Sequence, residues 1–486
     1  MSLLSNAKWN AFSQVFKIGV QVVNIVYLAK IIPPAEYGIL AMALVITNFG
    51  ILLRDLGTNA ALIQRKTLSF ELKNTVFWLN VSMGIFLALL ICLSSPLIAS
   101  LYHQPELVPV LLLLSLIFPL SSSASAHLAL LERSSEFRRI SFIEIFSSLV
   151  SVFVAVILAK NGYGVYSLVF QSISINFLSA VMFWRASSFR PSFRCMISIN
   201  ELKNIFSFSA NLSLFNFINY FSRNADSFII GKYMSAAILG SYNLAYRIML
   251  FPLQSLTFVA SRSLYPILSK YQDDNVVIQR TYLNCIFVIL MITCPLMSGL
   301  AIYSVPFINL IFGDKWSQTA SILTWLAPTA IIQSVLSTTG SVFTAKGRTS
   351  LMMKLGLLGT FLQVGSFLIG VNYSIVTFSK LYLVANVFNF FPIMFFLLAI
   401  IDCSFSIFFK KLLPIIISTF VMIGFLFSLN QFLIPLRKID NVASLLILCF
   451  SGAVCYFLCV FLLCKSVRTF VTNKISRISI ILKGNS

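Results

Sequence analysis

The residues able to do chemistry in this chain lie inside long apolar runs. Arg223 and Asp226 are three apart, and Arg247 stands about ten residues into the following run. By helical rise, that places Arg247 near the middle of a bilayer. An ionisable residue there is expensive and marks a functional site by default. Its partner is either Asp226 or an anionic substrate, and a guanidinium fork suits phosphate, with two N–H donors for two oxygens. Asn243 lies one turn before Arg247 on the same face, and Gln254 two turns after. Asp226 is the best carboxylate for loading a cation within the membrane; alternatively it neutralises Arg223 one turn away.

Two polar stripes accompany these charges. Gln14, Lys17, Gln21 and Asn24 are spaced three, four and three, so they share one helical face. A shift of 202 residues, Lys30 onto Lys232, carries them onto Asn216, Asn219, Arg223 and Asp226, polar at every position. The same shift lays 30–38 over 232–240, with Gly38 on Gly240. A polar stripe facing lipid costs several kcal/mol, so each stripe is expected to face a wet cavity, or to serve as polar glue between helices. A third face carries Ser379, Tyr382, Asn386 and Asn389, with Lys380 beside it. It suits sugar hydroxyls and ring faces, or a seam between helices.

The elements that must position these residues follow from composition. The chain has 486 residues, 58% hydrophobic and 10% charged, with mean hydropathy +0.93. A soluble domain is about 45–50% apolar and about 25% charged. A water-soluble enzyme, a disordered chain and a secreted disulfide scaffold are therefore excluded. The apolar runs are continuous rather than alternating, which argues against a β-barrel. The expected fold is all-α and polytopic, with about fourteen spans of about 20 residues, near 11–30, 37–62, 75–100, 107–131, 140–159, 165–185, 204–231, 237–260, 281–303, 319–345, 350–370, 374–401, 411–430 and 443–464, with loops between them. The lobes are expected at 1–187 and 204–401, joined by a basic linker at 188–203, and the last two spans and a basic tail occupy 402–486. A shift spanning six helices returns the chain to the same membrane side, so the repeat is parallel.

Charge sets the orientation. Lys and Arg number 35 against 14 Asp and Glu, formally +21. Counted over loops and termini, twenty-four of these cations fall on one side and six on the other, which places both termini in the cytoplasm. The excess is thus a membrane signature, and no nucleic-acid partner is expected. Met1–Asn10 is short and runs into the first span, which is expected to act as the insertion signal. His103 and His127 stand alone and no CxxC pair occurs among the nine cysteines, so no metal site is expected. No Ser/His/Asp set, no GxxxxGK[ST] loop and no paired outer carboxylates are present. These gaps weigh against an enzyme such as a membrane glycan polymerase and against an ATP-driven pump. A cation-coupled multidrug-type exporter stays as the alternative; it would favour an acidic cavity, whereas these spans hold more Arg and Lys than Asp and Glu.

At these residues the sequence resembles the bacterial Wzx-type polysaccharide flippases, the polysaccharide-transport branch of the multidrug/oligosaccharidyl-lipid/polysaccharide exporter superfamily. The resemblance runs through Arg223–Lys232, Leu239–Arg247 and Leu264–Ser269, and more loosely through Tyr37–Gly38, Asp55–Gly57 and Ala60–Gln64. Arg54 and Thr58 depart from the pattern, where small or apolar residues are expected. The resemblance implies a V of two pseudo-symmetric six-helix lobes with a final helix pair at the side. It implies a bacterial inner-membrane protein that moves a polyprenyl-diphosphate-linked oligosaccharide to the periplasmic leaflet by alternating access. On that basis Arg223, Arg247, Lys17 and Lys380 would hold the diphosphate. Gln21, Asn24, Asn219, Asn243, Tyr382 and Asn386 would contact the glycan. Asp226 would load a coupling H+ or Na+, with no other cofactor. The partners would be the lipid-linked glycan, membrane lipids and other glycan-assembly membrane proteins.

Overall fold

The computed structural model describes residues 3–54, 62–63, 68–193, 220–221, 223–433, 441–465 and 467–469. Among them every regular element is a helix. That follows from the solvent: in hydrocarbon each backbone N–H and C=O must be satisfied within its own segment.

The helices run in chain order as α1 (Leu3–Ile31), α2 (Pro34–Arg54), α3 (Phe70–Tyr102), α4 (Leu107–Ser115), α5 (Ile117–Arg133), α6 (Phe137–Lys160) and α7 (Val165–Ala186). A helical run at 223–233 follows. Then come α8 (Ala236–Lys270), α9 (Asn275–Ile302), α10 (Ser304–Ile311), α11 (Ser317–Ala345), α12 (Thr349–Gly370), α13 (Ile375–Ile400), α14 (Phe405–Leu433) and α15 (Asn441–Leu463). Among the described residues, 11 helices are long and apolar enough to cross a membrane. The expected spans near 11–30, 204–231 and 237–260 are not among these 11; the first and third are helical as α1 and α8, and much of the second lies outside the described residues.

Two details differ from the sequence reading. The span expected at 107–131 is one apolar run, Leu107–Arg133, whose helix is interrupted at Leu116 to give α4 and α5. Pro119 lacks the N–H that would bond the Ser115 carbonyl, so the ladder is interrupted there. The stretch after Ile302, expected as loop, forms the short helix α10 and a 3-10 turn at Asp314–Trp316 that buries the Trp316 ring. Helix starts are capped by Ser69, Asp274 and Ser374, whose side chains accept from the backbone N–H three residues on.

The chain forms two compact units, residues 1–243 and 244–486. In the first unit α3 packs on α5, and α6 on α1 and α7. Small residues let α3 and α5 approach: a Cβ on Gly84 would lie 2.3 Å from Ser122 Oγ, and Asn80 donates to Ser125 at 3.0 Å. At the basic ends of these helices Phe77, Trp184 and Phe189 close around His127. In the second unit the last helix pair is part of the core. Phe408, Ile415, Leu426, Tyr456 and Val460 join Tyr282, Ile286 and Leu290 of α9 in one cluster.

Candidate functional site

The first stripe is divided between partners. Lys17 Nζ lies 2.6 Å from Glu144 Oε2 on α6, with the two side chains 26% and 35% exposed. Asn24 is buried and donates through Nδ2 to Gln171 Oε1 on α7 at 3.4 Å. Gln21, between them, is exposed. Lys17 is thus half of an ion pair. The sequence carried a signal for this, since Glu144 is one of few acids within a span. Gln171 carried none. The side chain of Gln14 lies outside the described residues, as do Asn216 and Asn219 of the second stripe.

The end of the second stripe is described. Asp226 is buried, 6% exposed. One carboxylate oxygen accepts from the Ser227 N–H at 2.6 Å and the other from the Tyr242 hydroxyl at 2.9 Å. The Tyr242 bond ties the 223–233 run to α8. Arg223, one turn before Asp226, is exposed, and among the described residues no ion pair joins the two. Neutralisation of Arg223 by Asp226 is therefore not the arrangement adopted. Asn243 is half-buried and donates back to the Leu239 carbonyl at 3.1 Å. Arg247, one turn on in α8, is exposed. The side chain of Gln254 lies outside the described residues.

In the second unit, Lys380 is exposed, its ammonium 4.8 Å from the ring centre of Trp325 on α11. The neighbouring face is enclosed. Gln333 Nε2 donates to the Tyr382 hydroxyl at 2.6 Å and to Asn386 Oδ1 at 3.4 Å. Asn386 is 0% exposed and its Nδ2 donates to the Tyr382 carbonyl at 2.8 Å. The Phe367 ring lies 5.1 Å from that of Tyr382. Asn389 lies so close to α12 that a Cβ on Gly359 would sit 2.8 Å from its amide. The packing on α11 and α12 agrees with the seam reading of this face. Tyr382 and Asn386, expected to contact sugar, are bonded here to Gln333 of α11, and Asn386 also to its own helix. Gln333 was missed because it lies on a different span, with no spacing to link it to them.

The site residues therefore fall into two groups. Gln21, Arg223, Arg247 and Lys380 are exposed, while Asn24, Asp226, Tyr382 and Asn386 are buried and bonded. An exposed intramembrane cation can serve an anion; a buried carboxylate bonded by a tyrosine can respond to a small cation.

A family model described as polysaccharide biosynthesis protein matches residues 27–322. The teichuronic acid biosynthesis protein TuaB of Bacillus subtilis (strain 168) is 29% identical over 474 residues, 96% of this chain and 95% of that protein. The lipopolysaccharide biosynthesis protein WzxC of Escherichia coli (strain K12) is 30% identical over 372 residues, 76% of this chain and 75% of that one. Among solved structures, lipid II flippase MurJ in an inward closed conformation matches with a TM-score of 0.69 at 15% identity, over 96% of this chain and 100% of that one. At that identity the likeness concerns the fold. This multi-pass membrane protein belongs to the polysaccharide biosynthesis protein family, in the Wzx-type branch of the multidrug/oligosaccharidyl-lipid/polysaccharide exporter superfamily.

Proposed function

We propose that this protein is a transporter, not an enzyme, that moves a polyprenyl-diphosphate-linked oligosaccharide from the cytoplasmic to the periplasmic leaflet of a bacterial inner membrane. The observation that carries this reading is Arg223: an exposed arginine in an apolar span, while Asp226, the acid three residues on in the sequence, is buried and bonded to Tyr242. The relatives' printed names, in teichuronic acid and lipopolysaccharide biosynthesis, agree with it.

The physical task is severe. Taking a glycan and a diphosphate through about 30 Å of hydrocarbon would strip their water. A cationic, hydrated cavity with alternating access replaces that water. Arg223, Arg247 and Lys380 take the diphosphate oxygens through charge-assisted hydrogen bonds. Lys17 joins them when Glu144 releases it. Gln21, Asn219 and Asn243 meet sugar, with Asn24 in support, while the lipid tail stays in the bilayer. Binding of H+ or Na+ at Asp226 competes with the Tyr242 hydroxyl and so couples the ion gradient to the helix hairpin. Both termini lie in the cytoplasm, where other glycan-assembly proteins supply the substrate.

Deleting the gene tests this. Lipid-linked glycan should accumulate on the cytoplasmic leaflet, and the intact gene should restore export. Dye efflux by the purified protein in proteoliposomes, with no effect of the deletion on lipid-linked glycan, would instead identify a multidrug-type exporter.

A further inference from the structure

The repeat seen in the sequence closes on itself in the fold. α2 begins at Pro34 and α8 at Ala236, positions that the 202-residue shift superimposes. Gly38 and Gly240, four residues further on, superimpose as well. A Cβ on Gly38 would lie 1.7 Å from the Ala236 carbonyl oxygen. A Cβ on Gly240 would lie 1.9 Å from the Pro34 carbonyl oxygen and 3.0 Å from the Gly38 nitrogen. Each repeat's glycine therefore lies against the first residue of the other repeat's helix, backbone to backbone. Such reciprocity is the mark of a two-fold contact, here between two halves of one chain. All of it lies within the first compact unit.

The contact extends inward along α2. The Tyr220 hydroxyl donates to the Val45 carbonyl, and Phe49 packs against the Tyr220 and Phe221 rings at 5.6 and 5.2 Å. Beside it, Tyr102 at the end of α3 meets Phe228 at 5.7 Å and lies close against Gly231. From Pro34 to Val45 is about 17 Å of helix, roughly the outer half of a bilayer core. On the orientation set by the positive charges, the glycine pair lies near the outer surface.

We propose that the Gly38–Gly240 contact is the outer seal of the transport path. Two helix starts that touch without side chains leave no gap for water. A seal of this kind closes tightly and reopens. Glu36 holds one side of it: its carboxylate, buried at Oε2, is wedged against Gly164 at the start of α7. The corresponding residue of the second repeat is Ile238, which has no carboxylate to make such a tether. The start of α8 is therefore the half that moves.

This inference rests on the transport reading, but its test reads accessibility rather than export. Ser241 is buried, 1% exposed, next to Gly240. In a cysteine-free background, Ser241→Cys is labelled from outside intact cells with a membrane-impermeant maleimide. Labelling should be slow. Adding Gly38→Leu or Gly240→Leu should raise the rate about tenfold or more, and the two should act alike because the contact is reciprocal. Where a leucine variant fails to reach the membrane, Gly→Ala at the same position is read instead. Slow labelling in both variants, or an effect from one glycine alone, overturns the seal whatever happens to export. Fast labelling in a protein that handles no lipid-linked glycan keeps the seal and removes the substrate assignment.

Discussion

At the scale of single residues, exposure and partners distinguish the charges along the two stripes. Arg223 is exposed and Asp226 beside it is committed to Tyr242. If Arg223 and Arg247 grip a diphosphate, Arg→Ala at either should abolish export at normal protein levels. Arg→Lys should retain part of it, because the charge survives while the bidentate fork is lost. Quantifying surface glycan against membrane protein level checks this, and full export by both alanine variants would remove the assignment. Lys17 behaves differently, since its charge is balanced 2.6 Å away by Glu144. The pairing was half visible in the sequence: an acid within a span needs a cation, but nothing in the chain says which one.

At the scale of helices, one polar face can mean opposite things. Ser379, Tyr382, Asn386 and Asn389 have the spacing of a stripe, and so do Gln14, Lys17, Gln21 and Asn24. The first set is enclosed by α11 and α12, while the second leaves Gln21 exposed. Gln333→Leu should leave the Tyr382 hydroxyl and Asn386 Oδ1 without their donor, costing about 1–2 kcal/mol. The expected outcome is a lower melting temperature in detergent, with export per folded molecule unchanged. Export lost at an unchanged melting temperature would return this face to the substrate. Pro119 and the break at Leu116 make a related point: the proline was in plain view, yet the apolar run around it reads as one uninterrupted span.

At the scale of the whole molecule, the last two helices are a structural part of the second unit. The Tyr303 hydroxyl on the α9 side donates to the Leu426 carbonyl of α14 at 2.9 Å, and α14 and α15 complete the cluster around Tyr282. Ending the chain after Cys403 should therefore cut the yield of monodisperse protein several-fold, measured by size-exclusion chromatography of a fluorescent fusion. The cause is lost interhelical packing, since lipid replaces protein on the uncovered face without any gain from water. A monodisperse truncated protein at full yield would show that the pair is dispensable to the fold.

The sequence by itself determined the helical class, the placing of most spans, the expected orientation and the existence of a repeat. Those depend on the length of apolar runs, on where Lys and Arg stop them, and on residue identity at a fixed shift, all of which are local or countable. Tertiary structure alone decided which stripe is enclosed, which cation Glu144 takes, and that Gly38 and Gly240 touch across the repeat. In water, a buried helix face is apolar and the other is polar, so sequence announces the packing. In a membrane both faces are apolar, and only the assembled neighbours show which one is inside.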